Sequence, residues 1–300
     1  MSTAYLGRSI LAGLIGYGVG PSMTPPLHER EGSRHGFRYV YRTIELPPSK
    51  DAPRRLKHLL DLCRELRFDG LNITFPAKQT VLPLLDELAP TAQLVGAVNT
   101  VIFREDGTSL GHNTDVTGFR ASLDDSLADR PCGRTVLLGA GGAGSAAAHA
   151  LVSRGAETLT IVDVDRAKVE DLVSGLKRAH GFSAAAAAPD DLPALLRSAE
   201  GIVNATPFGM AHHPGTPFDT SLVKAEQWVA DVVYRPVRTE LLLQADARGA
   251  FTISGLGMAM NQAAEAFEIF TGEPADRAAM LTDLHEMVAA EAAADRATTH

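Results

Sequence analysis

Cysteine is nearly missing from this chain: its 300 residues hold only Cys63 and Cys132, alongside a single tryptophan and 6% aromatic residues. Two cysteines cannot build a disulfide framework or a C-x-x-C metal site, so no structural metal is expected. Cys63 lies in an apolar-periodic stretch and reads as a small core residue. No apolar run approaches the ~18 residues of a membrane-spanning helix, and residues 1–8 lack the charged-then-apolar order of a secretory leader. A cytoplasmic protein with no membrane partner is expected. Basic runs are also missing. Lys and Arg number 28 against 36 Asp and Glu, for a formal net charge of −8. That balance argues against a nucleic-acid partner, yet it leaves room for an anionic substrate held by local groups.

What is present is the composition of an α/β protein, 45% hydrophobic and 21% charged, long enough for about two domains of ~150 residues each. Its most informative stretch is 135–152. Val136 to Leu138 read as a buried parallel strand, Ser145 onward as a helix, and Gly139, Ala140, Gly141, Gly142, Ala143 and Gly144 as the turn between them. Glycines in this G-x-G-x-x-G order permit a tight turn and a close approach of backbone to a pyrophosphate, which the helix N-terminus then receives. The strand at 158–163 follows and ends in Asp163, roughly 20 residues beyond the glycines, where a ribose-binding carboxylate belongs. Further strand and helix patterns continue to Ile253, the alternation of a doubly wound dinucleotide-binding fold.

Before that unit lies a second α/β pattern. Strands are expected at 10–15, 38–44 and 68–75, with helices from Pro25 to about Gly36 and from Asp51 to Leu66. Residues 81–94 look helical, broken by Pro83 and Pro90, and a weak helix is expected at 118–127. The first strand opens into a loop shaped by glycine and proline, in which Ser22 and Thr24 point to one side of an extended segment. Hydroxyls beside proline also serve as turn and capping residues, so by themselves they leave both readings open. Lys78, just past a strand, suits a solvated cation as well as a site residue. Asn99 interrupts an apolar run and needs a partner, and Asp115 suits the cap of a helix starting near Val116. The tail beyond Glu291 is small and polar and is expected to fray.

In their order these stretches resemble the shikimate/quinate dehydrogenase family across nearly the whole chain. The matching segments are Gly13-Leu-Ile-Gly16 followed by Ser22-x-Thr24-Pro, Asn72-Ile-Thr-x-Pro-x-Lys78, Gly96-Ala-Val-Asn99-Thr, Gly111-x-Asn-Thr-Asp115-x-x-Gly118, Gly139-x-Gly-Gly-x-Gly144, Asn204-Ala-Thr-Pro-x-Gly-Met210, Asp231-x-x-Tyr234-x-Pro236-x-x-Thr-x-Leu241, and Gly257-Met-x-x-x-Gln262-Ala. The resemblance implies an open α/β substrate domain over residues 1–118 with 259–300, and a doubly wound Rossmann domain over 119–258. It implies Lys78 and Asp115 as the catalytic pair, with Ser22 and Thr24 on the substrate carboxylate. Thr74, Asn99, Asp115 and Gln262 would bind ring hydroxyls, with Tyr234 nearby. Cofactor contacts would come from the 139–144 turn, Asp163, Lys168, Asn204, Thr206, Pro207, Val233, Gly255 and Met258.

Within the family, members using NADP resemble Asn-Arg-Thr where this chain has Asp163-Val-Asp165. A carboxylate accepts hydrogen bonds from free ribose hydroxyls and repels a phosphate dianion, so NAD is the expected cofactor, with Arg166 and Lys168 softening the preference. Members restricted to shikimate resemble Ser-x-Ser, whereas Ser22-x-Thr24 resembles the quinate-accepting branch. Quinate and shikimate are the expected small-molecule substrates, and the chain is expected as a monomer or homodimer. An NADP-linked biosynthetic shikimate dehydrogenase, an aminoshikimate-type relative and a non-catalytic dinucleotide sensor stand as alternatives.

Overall fold

A computed structural model describes residues 7–298, except the side chains of 295–298. The leader expectation drawn from residues 1–8 therefore falls almost wholly outside the described residues. The chain divides into two compact units. Unit one comprises residues up to Thr114 with Gln262–Met287, and unit two comprises Asp115–Asn261 with residues from Val288 onward.

Unit one is built on a six-stranded sheet. In chain order its elements are β1 (Ser9–Gly16), α1 (Thr24–Arg34), β2 (Arg38–Glu45), α2 (Ala52–Glu65), β3 (Gly70–Ile73), β4 (Glu87–Leu88), α3 (Pro90–Val95), β5 (Thr100–Phe103) and β6 (Ser109–His112). The strand order is β2-β1-β3-β5-β6-β4. β1 runs parallel to β2 and β3, while β5 runs antiparallel to both β3 and β6. Ile15, Leu56, Leu60, Leu71, Ile73 and Val101 pack one core. Ile10, Ala12, Tyr39, Tyr41, Phe267 and Phe270 pack another.

Unit two continues with α4 (Thr114–Leu127), β7 (Arg134–Leu138), α5 (Gly142–Ser153), β8 (Thr158–Val162), α6 (Arg166–His180), β9 (Ala185–Ala187), α7 (Leu192–Ser198), β10 (Gly201–Asn204), β11 (Trp228–Asp231), α8 (Glu240–Asp246) and β12 (Phe251–Ile253). All its strand pairs are parallel, in the order β12-β11-β10-β7-β8-β9. The order reverses direction between β7 and β10, which is where ligands bind in such sheets. Two closing helices, α9 (Leu256–Thr271) and α10 (Arg277–Thr298), complete the chain.

Several expectations need correction. Residues 81–94 form a 3-10 turn at Leu82–Leu84, β4 and α3 rather than a broken helix, because Pro83 and Pro90 each lack the N–H that an uninterrupted helix requires. The helix expected at 118–127 begins at Thr114, so Asp115 stands within its first turn and does not precede it. The tail beyond Glu291 is helical to Thr298, continuing α10. Sequence periodicity assigned no element to 109–112 or 192–198. The first pairs as β6 with β5, and the second forms α7. Among the described residues no helix is long and apolar enough to cross a membrane, and no group of three or more His, Cys, Asp or Glu side chains could hold a metal ion.

Candidate active site

In unit one, the candidate residues gather at the C-terminal ends of β1 and β3. The chain leaves β1 at Gly16, where a Cβ would run into the Thr74 side chain and come within 3.0 Å of the Phe75 carbonyl oxygen. Only glycine lets the two strand ends approach so closely, and the approach is locked by Tyr17 N–H donating to the Phe75 carbonyl over 2.8 Å. The loop beyond is held by Glu45, at the end of β2. Its carboxylate accepts from the successive amides of Gly18, Val19 and Gly20 over 3.0, 2.9 and 3.3 Å. Those amides form an anion-binding nest that the protein's own side chain fills. The loop then presents Ser22 and Thr24, both half-buried, with Thr24 N–H donating to Ser22 Oγ over 3.2 Å.

Behind this loop lies a buried polar network. Asn72 accepts from the Tyr41 hydroxyl over 2.7 Å and donates to Thr100 Oγ1 over 3.0 Å. Asn99 Oδ1 accepts from Thr114 N–H over 2.8 Å, so this residue, just before β5, satisfies the first free amide of α4, and its Nδ2 donates to Thr114 Oγ1 over 2.9 Å. The network explains why a polar residue interrupts the apolar run at position 99: a buried amide is retained where both its ends are bonded. Lys78 follows the Phe75-Pro76 bond, which is cis, and is half-buried, its carbonyl accepting from Val98 N–H over 2.8 Å. Asp115 is buried.

In unit two the glycine turn caps β7. Gly139 sits at φ +99°, a conformation glycine adopts without strain, and a Cβ there would come within 2.7 Å of the Ala205 carbonyl oxygen. At Gly144 a Cβ would collide with the Gly139 carbonyl. Gly141 is exposed and opens on empty space, and no side chain caps the N-terminus of α5. A tight turn, uncapped helix amides and an open approach are what a pyrophosphate requires, so these residues fit a dinucleotide. Asp163 is tied to the turn: Oδ2 accepts from Ala140 N–H over 2.7 Å and Oδ1 from Asp165 N–H over 2.9 Å. Each oxygen keeps a second lone pair for a ligand hydroxyl. Lys168 pairs with Asp165 across an exposed helix turn at 3.3 Å.

Next to the glycine turn, across the β7–β10 switch point, Asn204 orders the segment carrying Thr206 and Pro207. Its Oδ1 accepts from Thr206 N–H over 3.0 Å and Thr206 Oγ1 over 2.6 Å. β11 ends in Asp231, and the following turn carries Val233 and Tyr234. Burial raises the Tyr234 phenol above its usual value, so it is a neutral hydrogen-bonding group at physiological pH. Gly255 precedes α9, which presents Met258 and Gln262.

The structure therefore collects Ser22, Thr24, Thr74, Asn99 and Lys78 within unit one. Unit two collects the 139–144 turn, Asp163, Thr206, Pro207, Val233 and Gly255. Sequence reading missed Glu45, Tyr41 and the connecting role of Asp231. Glu45 stands 25 to 27 positions from the amides it binds, and only the parallel pairing of Gly16 with Glu45 brings them together.

Two α/β units, one bearing a Rossmann-type glycine turn with its acid and the other a hydroxyl-, amide- and lysine-bearing strand end, define a nicotinamide-dependent oxidoreductase architecture. Residues 14–101 match the shikimate dehydrogenase substrate binding domain, and residues 255–282 match the shikimate 5'-dehydrogenase C-terminal domain. A protein of Streptomyces avermitilis named shikimate dehydrogenase (NADP(+)) is 52% identical over 93% of this chain and 96% of its own. One of Corynebacterium efficiens named quinate/shikimate dehydrogenase (NAD(+)) is 46% identical over 88% of this chain and 93% of its own. Among solved structures, quinate dehydrogenase from Corynebacterium glutamicum in complex with NAD superposes with a TM-score of 0.88. It is 44% identical, covering 92% of this chain and 98% of that one. The chain belongs to the shikimate dehydrogenase family, and its activity is that of a shikimate/quinate dehydrogenase using a nicotinamide dinucleotide.

Proposed function

We propose that the chain is an NAD-linked quinate/shikimate dehydrogenase, reversibly oxidising one ring hydroxyl to the 3-dehydro ketone. The observation that carries the cofactor choice is Asp163, whose carboxylate is anchored to Ala140 and Asp165 amides at the rim of the glycine turn. A 2'-phosphate set against that fixed anion is repelled, whereas two free ribose hydroxyls find an acceptor. The Corynebacterium relatives named for NAD support this reading, and the relatives named for NADP(+), including that of Streptomyces avermitilis, mark the competing one.

In the proposed reaction Ser22 and Thr24 hold the substrate carboxylate. Thr74, Asn99, Tyr234 and Gln262 orient the ring through its hydroxyls. Lys78 and Asp115 form the acid–base pair that takes the proton of the reacting hydroxyl and returns it in the reverse direction. The bound nicotinamide supplies the hydride acceptor. Thr24, one methyl larger than serine, is the residue proposed to admit quinate.

The test is spectrophotometric. Initial rates with NAD and NADP, each with shikimate and with quinate, are expected to give the highest kcat/KM with NAD and turnover of both acids. A clear preference for NADP with shikimate alone overturns the cofactor and substrate refinements together and favours the biosynthetic reading.

A further inference from the structure

The motif Asp231-x-x-Tyr234-x-Pro236-x-x-Thr239 contributes Tyr234 to the proposed reaction, but Asp231 and Thr239 have no part in it. We propose that Asp231 is a positioning residue whose buried carboxylate sets the two turns facing the dinucleotide, 204–209 and 231–236. The inference rests on the dinucleotide site proposed above.

Asp231 closes β11 and lies opposite Asn204, the last residue of β10. The residue is 1% exposed. Oδ1 accepts from Asn204 Nδ2 over 2.9 Å and from Val233 N–H over 3.0 Å, while Oδ2 accepts from Thr239 Oγ1 over 2.7 Å. These partners are a side-chain amide, a backbone amide and a hydroxyl, all neutral. A buried anion with neutral partners costs stability, and burial pushes the carboxyl up to about 6. What the group contributes in return is direction.

The first bond orients Asn204. With one amide hydrogen on Asp231 and the other on the Phe208 carbonyl at 3.1 Å, Asn204 Oδ1 is left to receive Thr206 N–H and Oγ1. All four hydrogen-bonding positions of the amide are thereby used. Turning the amide over would face its oxygen to the carboxylate, so Asp231 decides which way Asn204 points and hence how the 204–209 turn folds. The second bond closes the turn that carries Val233 and Tyr234. The third holds Thr239, whose Oγ1 also accepts from Leu242 N–H at the start of α8, fixing where that turn rejoins the helix. One carboxylate thus couples two separate turns through a single atom, Oδ1. The glycine turn abuts the same assembly, since Gly139 meets Ala205.

Asp231→Ala, Asp231→Asn and Thr239→Val in the full-length protein test this. The readouts are the calorimetric Kd for NAD and NADH (or the NADP pair, whichever the wild type binds), kcat, melting temperature and amide hydrogen exchange at 205–209 and 232–236. Asp231→Ala is expected to raise the dinucleotide Kd by about tenfold and speed exchange in both turns, Thr239→Val to raise Kd by about threefold, and Asp231→Asn, which keeps an acceptor at Oδ1, to stay within about twofold of wild type. A folded Asp231→Ala protein with a lower melting temperature but unchanged Kd and exchange overturns the proposal and leaves a purely structural carboxylate. Should that variant fail to fold, an unchanged Kd in Thr239→Val overturns it instead. A wild-type protein that binds neither dinucleotide overturns the underlying site, an outcome seen before any variant is compared.

Discussion

The two units carry sheets of the same size and build their sites from opposite materials. In unit two the proposed dinucleotide-facing surface is backbone: glycine amides, an uncapped helix start, and a few acids and amides that hold turns in place. In unit one the proposed substrate-facing surface is side chain: hydroxyls, a lysine and carboxamides, beside a buried network of Tyr41, Asn72, Asn99, Thr100 and Thr114. The difference fits what each is proposed to recognise. A pyrophosphate is a diffuse anion that a row of N–H groups satisfies. A polyhydroxylated ring needs donors and acceptors at fixed points, which requires oriented side chains and a second layer to orient them.

Removing one group from each unit is expected to separate their roles most clearly. Lys78→Ala is expected to lower kcat by about three orders of magnitude with the dinucleotide Kd unchanged, measured by steady-state rates and calorimetry. An equal loss of dinucleotide binding would show that the two sites are not separable. Gly144→Ala is the converse. Its new Cβ meets the Gly139 carbonyl, backbone that cannot swing aside, so the dinucleotide Kd is expected to rise about a hundredfold while shikimate binding to the apoprotein stays within about twofold.

Smaller effects sharpen the contrast. Asp163→Ala is expected to raise the NAD KM about tenfold and to shrink the NAD/NADP ratio of kcat/KM, since one hydrogen-bonded anion is removed from the ribose position. In unit one, His28 is fully buried, with Nδ1 against the Tyr39 hydroxyl at 3.1 Å, and burial lowers its pKa from 6.5 to about 3. Its neutral form is favoured by folding. The stability it contributes is therefore complete above pH 6.5 and is lost as the pH falls from 6.5 toward 3. His28→Gln, which keeps a hydrogen-bonding group without the titration, is expected to narrow the difference in melting temperature between pH 7 and pH 4.5. The smallest change is Thr24→Ser, expected to lower the quinate/shikimate ratio of kcat/KM about fivefold through the loss of one methyl contact.

Legibility in the sequence follows the same division. The doubly wound sheet and the 166–180 helix could be read directly, because central parallel strands such as Val136–Leu138 and Ile202–Val203 are buried apolar runs and their helices keep a regular period. The antiparallel pairing of β5 and β6 could not, because Ser109–His112 is only four residues long and the polar Ser109 at its start is satisfied by Asp86, 23 positions away. Asp115 shows the same limit within one residue. Locally it looks like a helix cap, but Asn99 supplies that function from the bend before β5, 15 positions away, leaving Asp115 inside the first turn.

Residue order by itself determined the glycine turn, the acid about one strand–helix–strand unit beyond it and the succession of hydroxyl, amide, lysine and aspartate motifs, since each depends on spacing along the chain. Tertiary structure alone decided what holds those groups in place. Glu45 fills the nest beneath the Ser22 loop, Asn99 bonds the start of α4, and Asp231 joins the ends of two strands. These bonds link residues 15 to 27 positions apart through strand register and burial, and neither is encoded in local spacing.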